Sequence, residues 1–90
     1  MPTVRFTQNI QRHVACPDRA VSGKSVHEVL EAYFVGEQAK ARGYVLDDQG
    51  ALRKHMAIFV DGETIHDRET LSDAVKPNGN VDVVQALSGG

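Results

Sequence analysis

Ninety residues, of which 41% are apolar and 24% charged, are enough for one small globular domain with a single core, and this composition excludes a disordered chain. The net charge of −2 gives no electrostatic basis for binding nucleic acid or a membrane, and the basic residues form no stripe, since only Arg53 and Lys54 are adjacent. The single cysteine, Cys16, excludes an intrachain disulfide, and the absence of a signal segment or of an apolar run of ~18 residues predicts a cytoplasmic location.

The N-terminal segment predicts two strands. Residues 3–7 alternate, with Val4 and Phe6 on one face and polar side chains on the other, which is the pattern of a strand with one solvated face. Pro17-Asp18 is a turn signal, and residues 19–21 are predicted to form a short strand that returns beside the first.

A helix is predicted to follow. Ser25 and Glu28 have the S-x-x-E spacing of a capping box, in which each side chain satisfies a backbone N–H at the helix start. The apolar residues of segment 26–34 then recur at helical spacing. An extension of this helix as far as Ala41 is left open, and Gly43 is a stop signal.

The middle of the chain predicts a loop and a hairpin. Residues 44–54 contain a polar turn signal and are predicted to form a connecting loop. Residues 55–60 (HMAIFV) are typical of a strand, and Asp61-Gly62 is a hairpin turn signal. Residues 63–65 are predicted to be the short returning strand.

The last segment predicts one helical turn at residues 70–75, a turn at 77–80 and a final strand at 81–86. One helix can cover one face of a four- or five-stranded mixed sheet whose first and last strands lie side by side at the centre. The predicted fold class is therefore α+β, with the β-grasp or ubiquitin-like arrangement, and residues 1–87 are predicted to form this domain.

Ser88-Gly89-Gly90 follows the last strand and is predicted to be a flexible tail. Glycine buries no side chain and is costly to order, so two interpretations arise. One is a frayed terminus, which is common. The other is that the carboxylate of Gly90 is the working group of the protein.

Segment 52–90 resembles the MoaD/ThiS family of ubiquitin-like sulfur carriers. The residues that carry the resemblance are LRKHMAIFVDGETI, TLSDAVKPNGNVDVV and the closing ALSGG. Many members show a Leu-Arg run before a strand, an Asn-Gly or Asp-Gly turn and a final Gly-Gly. The proline that often precedes the Gly-Gly is missing here, so molybdopterin and cysteine or other thio-metabolite pathways both remain open.

This resemblance implies a non-enzymatic carrier with no bound cofactor. A partner enzyme would use ATP to adenylate the Gly90 carboxylate, and sulfur from a donor would then replace AMP to give a thiocarboxylate. A downstream synthase would accept the sulfur. Two rival functions remain: a protein modifier joined to lysine through Gly90, and an interaction module whose terminus is inert.

A carrier needs an apolar surface on which the partner docks. The predicted docking residues are Phe59, Val84 and Leu87, although core packing is an equally good interpretation for the first two. Ser88 and Gly89 belong to the tail that carries Gly90 to the partner's active site, and the two glycines, which have no Cβ, can thread a narrow channel.

The remaining chemical side chains predict no second site. Cys16 has no base or helix N-terminus nearby in the sequence, so a nucleophilic role is not predicted. The four histidines lack the spacing of metal ligands, and no metal site is predicted. Asp47 and Asp48 adjoin in a loop, which indicates a hydrated turn.

Overall fold

The computed structural model describes residues 1–85, which form a mixed sheet with the main helix packed on one of its faces. The strands are β1 Thr3–Phe6, β2 Arg19–Ala20, β3 Met56–Val60, β4 Glu63–Thr64 and β5 Asn80–Gln85. The helices are α1 Gln8–Gln11, α2 Val26–Tyr33 and α3 Arg42–Val45, and a 3-10 helix, Gly36–Ala41, connects α2 to α3. Within this part of the chain no helix is both long enough and apolar enough to span a bilayer.

The sheet has five strands in the order β2-β1-β5-β3-β4. Strands β1 and β5 pair in parallel, with Val4 opposite Val81, and the other neighbours are antiparallel. The first and last strands therefore lie side by side, as the sequence predicts, and the β-grasp prediction is confirmed.

The core lies between the sheet and α2. Phe6, Ile58 and Val83 project from three neighbouring strands onto this side and are buried. The buried face of α2 meets them with Leu30 and Tyr33, and the rings of Phe6 and Tyr33 lie 4.9 Å apart. Burial raises the pKa of Tyr33 to about 12, and its hydroxyl donates a hydrogen bond of 2.7 Å to the carbonyl of Pro17.

The predicted capping box forms at the start of α2. The Ser25 hydroxyl oxygen accepts a hydrogen bond of 3.2 Å from the Glu28 N–H. The Glu28 carboxylate accepts one of 3.3 Å from the N–H of Lys24, one residue earlier than the motif predicts. The start of α2 is thus fixed by local sequence, as expected.

The predicted hairpin turn is also confirmed. Val60 and Glu63 pair across a two-residue connection in which Asp61 and Gly62 both have positive φ, 50° and 86°. This conformation matches the twist of the flanking strands, and it explains why aspartate and glycine occupy the turn.

The main helix ends near Phe34, as predicted, and the extension to Ala41 that the sequence left open does not occur. Phe34 leaves the helical conformation and Gly36 adopts a φ of 59°, after which the chain restarts as the 3-10 helix. The predicted loop 44–54 begins late, because α3 runs to Val45, whose buried side chain joins the core. Helix α1 was not predicted, since four residues give too short a pattern.

The helical turn predicted at residues 70–75 is wrong, and the segment is irregular, with an isolated antiparallel bridge between Ala74 and Ser25 at the start of α2. The first N–H groups of a helix lack partners within the helix. Here those of Val26 and His27 donate to the carbonyls of Asp73 and Leu71 at 3.0 and 2.9 Å. Leu71 reaches this position with a positive φ of 57°, and its side chain is fully buried.

The carboxylate of Asp67 organises the start of this irregular segment. This carboxylate accepts hydrogen bonds from the hydroxyl of Ser72 at 2.6 Å, from the hydroxyl and N–H of Thr70, and from the N–H of Glu69. These bonds, those from Ser72 and Thr70 first, hold the pKa of Asp67 well below its usual range.

We expect Asp67→Asn to flatten the acid dependence of stability. Because the folded-state pKa is depressed, ionised Asp67 stabilises the fold above its unfolded pKa of about 3.9, and this contribution is lost as the pH falls towards the folded value. The free energy of unfolding of wild type should therefore fall more between about pH 5 and pH 2 than that of the variant. At neutral pH the variant should already have the lower free energy of unfolding. Urea unfolding across this range measures both curves, and equal losses would show that Asp67 is not the group responsible.

Candidate functional site

The candidate site is the face of the sheet opposite α2, here called the open face. Successive side chains of a strand point to opposite faces of the sheet. In β5, Val81 and Val83 are buried towards α2, whereas Asp82 and Val84 are half-buried on the open face. The open face carries Thr3, Arg5, Ala57, Phe59, Thr64, Asp82 and Val84.

Phe59 and Val84, two of the three predicted docking residues, lie on this open face outside the core cluster. Ala57 is directly opposite Val84, and Phe59 belongs to the next pair on the same face, two pairs further along the same two strands. Cross-strand and diagonal neighbours on one face are within contact range, so these three residues form one apolar strip. The third predicted residue, Leu87, and the tail Ser88, Gly89 and Gly90 lie outside the described residues.

An ion pair crosses the open face beside the apolar strip. Arg5 of β1 donates from Nε and Nη2 to the two carboxylate oxygens of Asp82 of β5, at 2.6 and 2.9 Å. The hydrogen bond to Asp82 raises the pKa of the Arg5 guanidinium above its ordinary value. The alternation of β1 predicts that Arg5 faces solvent, but no sequence signal identifies its partner 77 residues away.

A groove follows this ion pair. It is lined by the strip residues Phe59 and Val84, by the charged residues Arg5, Asp18 and Asp82, and by Thr7 and Gln11. Asp18 comes from the loop before β2 and is exposed. Sequence reasoning treated Asp18 only as part of a turn and did not place it here.

The groove adjoins the end of β5, the last segment of the chain that the structure describes. Gln85 pairs with Met56 of β3, and its N–H donates to the Thr7 hydroxyl oxygen at 3.5 Å. The sheet therefore holds β5 up to Gln85, five residues before Gly90.

The remaining reactive groups lie elsewhere or are inaccessible. Cys16 is 1% exposed, and burial raises the pKa of its thiol, which makes it a poor nucleophile at neutral pH. Among residues 1–85, no three His, Cys, Asp or Glu side chains converge in a way that could hold a metal ion.

The sequence match identifies the family. The model of the ThiS family matches residues 10–90, which is nearly the whole chain and includes the final Gly-Gly. The chain belongs to the ThiS family. Members of this ubiquitin-like family are small carrier proteins and not enzymes themselves, so the prediction of a non-enzymatic protein is confirmed. No curated protein sequence matches the chain significantly.

Solved structures show the same fold at low sequence identity. CysO of Mycobacterium tuberculosis has a TM-score of 0.79 and 18% identity, over 97% of this chain and all of that one. CysO of Amycolatopsis orientalis, solved in a complex with BexX, has a TM-score of 0.75 and 19% identity, over the full length of both chains. SAMP1 of Haloferax volcanii has a TM-score of 0.75 and 21% identity, over 99% of this chain and 98% of that one.

Proposed function

We propose that this ThiS-family chain carries sulfur as a thiocarboxylate on Gly90. The observation that supports the proposal most strongly is that the family match runs through Gly90. The β-grasp body supports it as well, because β5 ends at Gln85 beside an apolar strip on which a partner can dock.

The proposed chemistry needs only a carboxylate from this chain. An α-carboxyl group has a pKa of about 3.5 and is ionised at neutral pH, so it needs no general base. Its oxygen attacks the α-phosphate of ATP on a partner enzyme, and pyrophosphate leaves. A hydrosulfide equivalent from the sulfur donor then attacks the acyl carbon, AMP leaves, and the thiocarboxylate remains. The partner supplies the stabilisation of the phosphoryl transfer.

The apolar strip is proposed to hold the body on that partner. Ordering Gly89 and Gly90 in an active-site channel costs about 1–2 kcal/mol each. Burial of ~100 Å² of apolar surface contributes about 2.5 kcal/mol, which is the same order. Phe59 and Val84 on the open face, with Leu87 beyond the described residues, are the proposed contacts.

The sulfur is proposed to pass to a downstream synthase. Molybdopterin and cysteine or another thio-metabolite are both open as the destination, and the complex of CysO with BexX is a neighbour in which a carrier binds another protein. Because the reaction uses ATP, we place it in the cytoplasm.

A second candidate function is protein modification. It is favoured by the similarity to SAMP1, since one neighbouring structure expands that name as small archaeal modifier protein 1. In this case the adenylated Gly90 would be attacked by a lysine amine, AMP would leave, and an isopeptide bond would form.

Intact mass spectrometry distinguishes these functions. Incubated with its adenylating enzyme, ATP and sulfide, a carrier gains about 16 Da, the difference between oxygen and sulfur. A modifier instead gives lysine-linked adducts of higher mass when target proteins are present. An unchanged mass under both conditions would contradict the proposed function.

A further inference from the structure

The groove on the open face has an unbalanced charge. Its three charged residues are Arg5, Asp82 and Asp18, so two carboxylates face one guanidinium. Asp82 is engaged by Arg5 through both of its oxygens. Asp18 is exposed and belongs to neither of the two ion pairs found among residues 1–85.

The ion pair fixes the shape of the groove. Two parallel hydrogen bonds hold the Arg5 guanidinium against Asp82 across neighbouring strands, which leaves little freedom for either side chain. Asp82 of β5 is opposite Arg5 on one neighbouring strand and opposite Phe59 on the other, so the three residues lie in line across the sheet. A charged pair therefore borders the apolar strip, and the groove carries one further carboxylate, that of Asp18, whose charge also acts on Arg5.

We infer that the groove receives a basic side chain, lysine or arginine, of the adenylating partner, with Asp18 and the outer edge of Asp82 as its acceptors. The inference rests on the proposed function, and it adds that the partner's surface that recognises the carrier is positively charged at this point. Complementary charges across an interface raise the association rate and suppress partners of the wrong sign. The net charge of −2 on the whole chain has the same sign as this local surplus.

The test uses the full chain and the adenylating enzyme that gives the mass gain, with pyrophosphate exchange as the readout. We expect Asp18→Asn to raise KM for the carrier about 3-fold, and Asp18→Lys to raise it at least about 10-fold. The matched control is Asp48→Asn, which removes an exposed carboxylate from a loop that does not line this groove and should leave KM unchanged. Raising the salt from about 50 to about 500 mM should raise the KM of wild type and shrink these differences.

Arg5→Gln provides the discriminating variant. It removes the cation that competes with the partner, so we expect KM to fall about 3-fold. A purely structural role for the ion pair would raise KM in this variant and lower its thermal midpoint. If the variant does not fold, Asp18→Lys carries the test alone, because Asp18 is exposed in a loop.

The outcomes separate the two proposals. If wild type exchanges pyrophosphate but KM is unchanged in Asp18→Lys, or does not fall in folded Arg5→Gln, the basic contact is wrong and the carrier function stands. If wild type itself is not adenylated, the carrier function fails and the inference fails with it.

Discussion

Deletion of Gly90 is expected to abolish the gain of sulfur and to leave the thermal midpoint within about 2 °C of wild type. The reaction fails because the acyl group that is adenylated is displaced by one residue from the position that the partner's active site accepts. Stability is spared because a glycine has no side chain to pack.

The control for this deletion is a chain with one alanine added after Gly90. It retains every native residue but moves the free carboxylate one residue further on, so it should also fail to gain sulfur. Continued sulfur gain in the truncated chain, or a fall of more than about 5 °C in its midpoint, would show that Gly90 is not the acceptor or is part of the fold.

Gly23→Ala is expected to be among the most damaging single substitutions in the described domain. Gly23 adopts a φ of 154°, which side chains rarely adopt. An added Cβ would lie 2.7 Å from the backbone nitrogen of Val29 and 2.8 Å from its Cγ2. Since the nitrogen belongs to helix α2, the contact cannot be relieved by a rotamer change. We expect a loss of about 2–4 kcal/mol, which lowers the thermal midpoint by more than about 10 °C.

Gly43→Ala is the matched control for this substitution. Gly43, predicted to be a helix stop, lies instead inside helix α3, and an added Cβ meets nothing within 4 Å. Alanine is the better helix former, so a gain of about 0.5–1 kcal/mol is expected. Calorimetry of the two variants beside wild type measures the contrast. A Gly23→Ala midpoint equal to that of wild type would contradict the described path of the chain before α2.

The parts of the fold that depend on neighbouring residues could be predicted from the sequence. The capping pair Ser25 and Glu28 and the turn at Asp61-Gly62 each need only a few consecutive residues, and both form as expected. The placement of β1 beside β5 followed from the number and order of the elements, because a single main helix leaves few other ways to cover the sheet.

The segment at residues 70–75 could not be predicted for the opposite reason. Its pattern TLSDAV fits a helical turn locally. Its conformation is set instead by hydrogen bonds from the N–H groups of α2 to Leu71 and Asp73, and by the bonds that Asp67 accepts. Such tertiary partners outweigh local propensity, and a single sequence does not reveal them.

The candidate site, like the fold, could be predicted from the sequence only in part. Alternation along the strands allowed Phe59 and Val84 to be proposed as outward-facing, and both lie on the open face. The pairing of Arg5 with Asp82, and the approach of Asp18, depend on the register between segments far apart in the chain. The docking role of the apolar strip, and the role of the tail beyond Gln85, remain predictions.

The most direct test is to locate the added sulfur by tandem mass spectrometry of the C-terminal peptide after incubation with the adenylating enzyme, ATP and sulfide. We predict a gain of about 16 Da confined to the fragment that ends in Gly90, reversed when the thiocarboxylate is hydrolysed. A C-terminal fragment of unchanged mass, in a sample in which the enzyme has consumed ATP, would contradict the assignment of Gly90 as the sulfur-carrying residue.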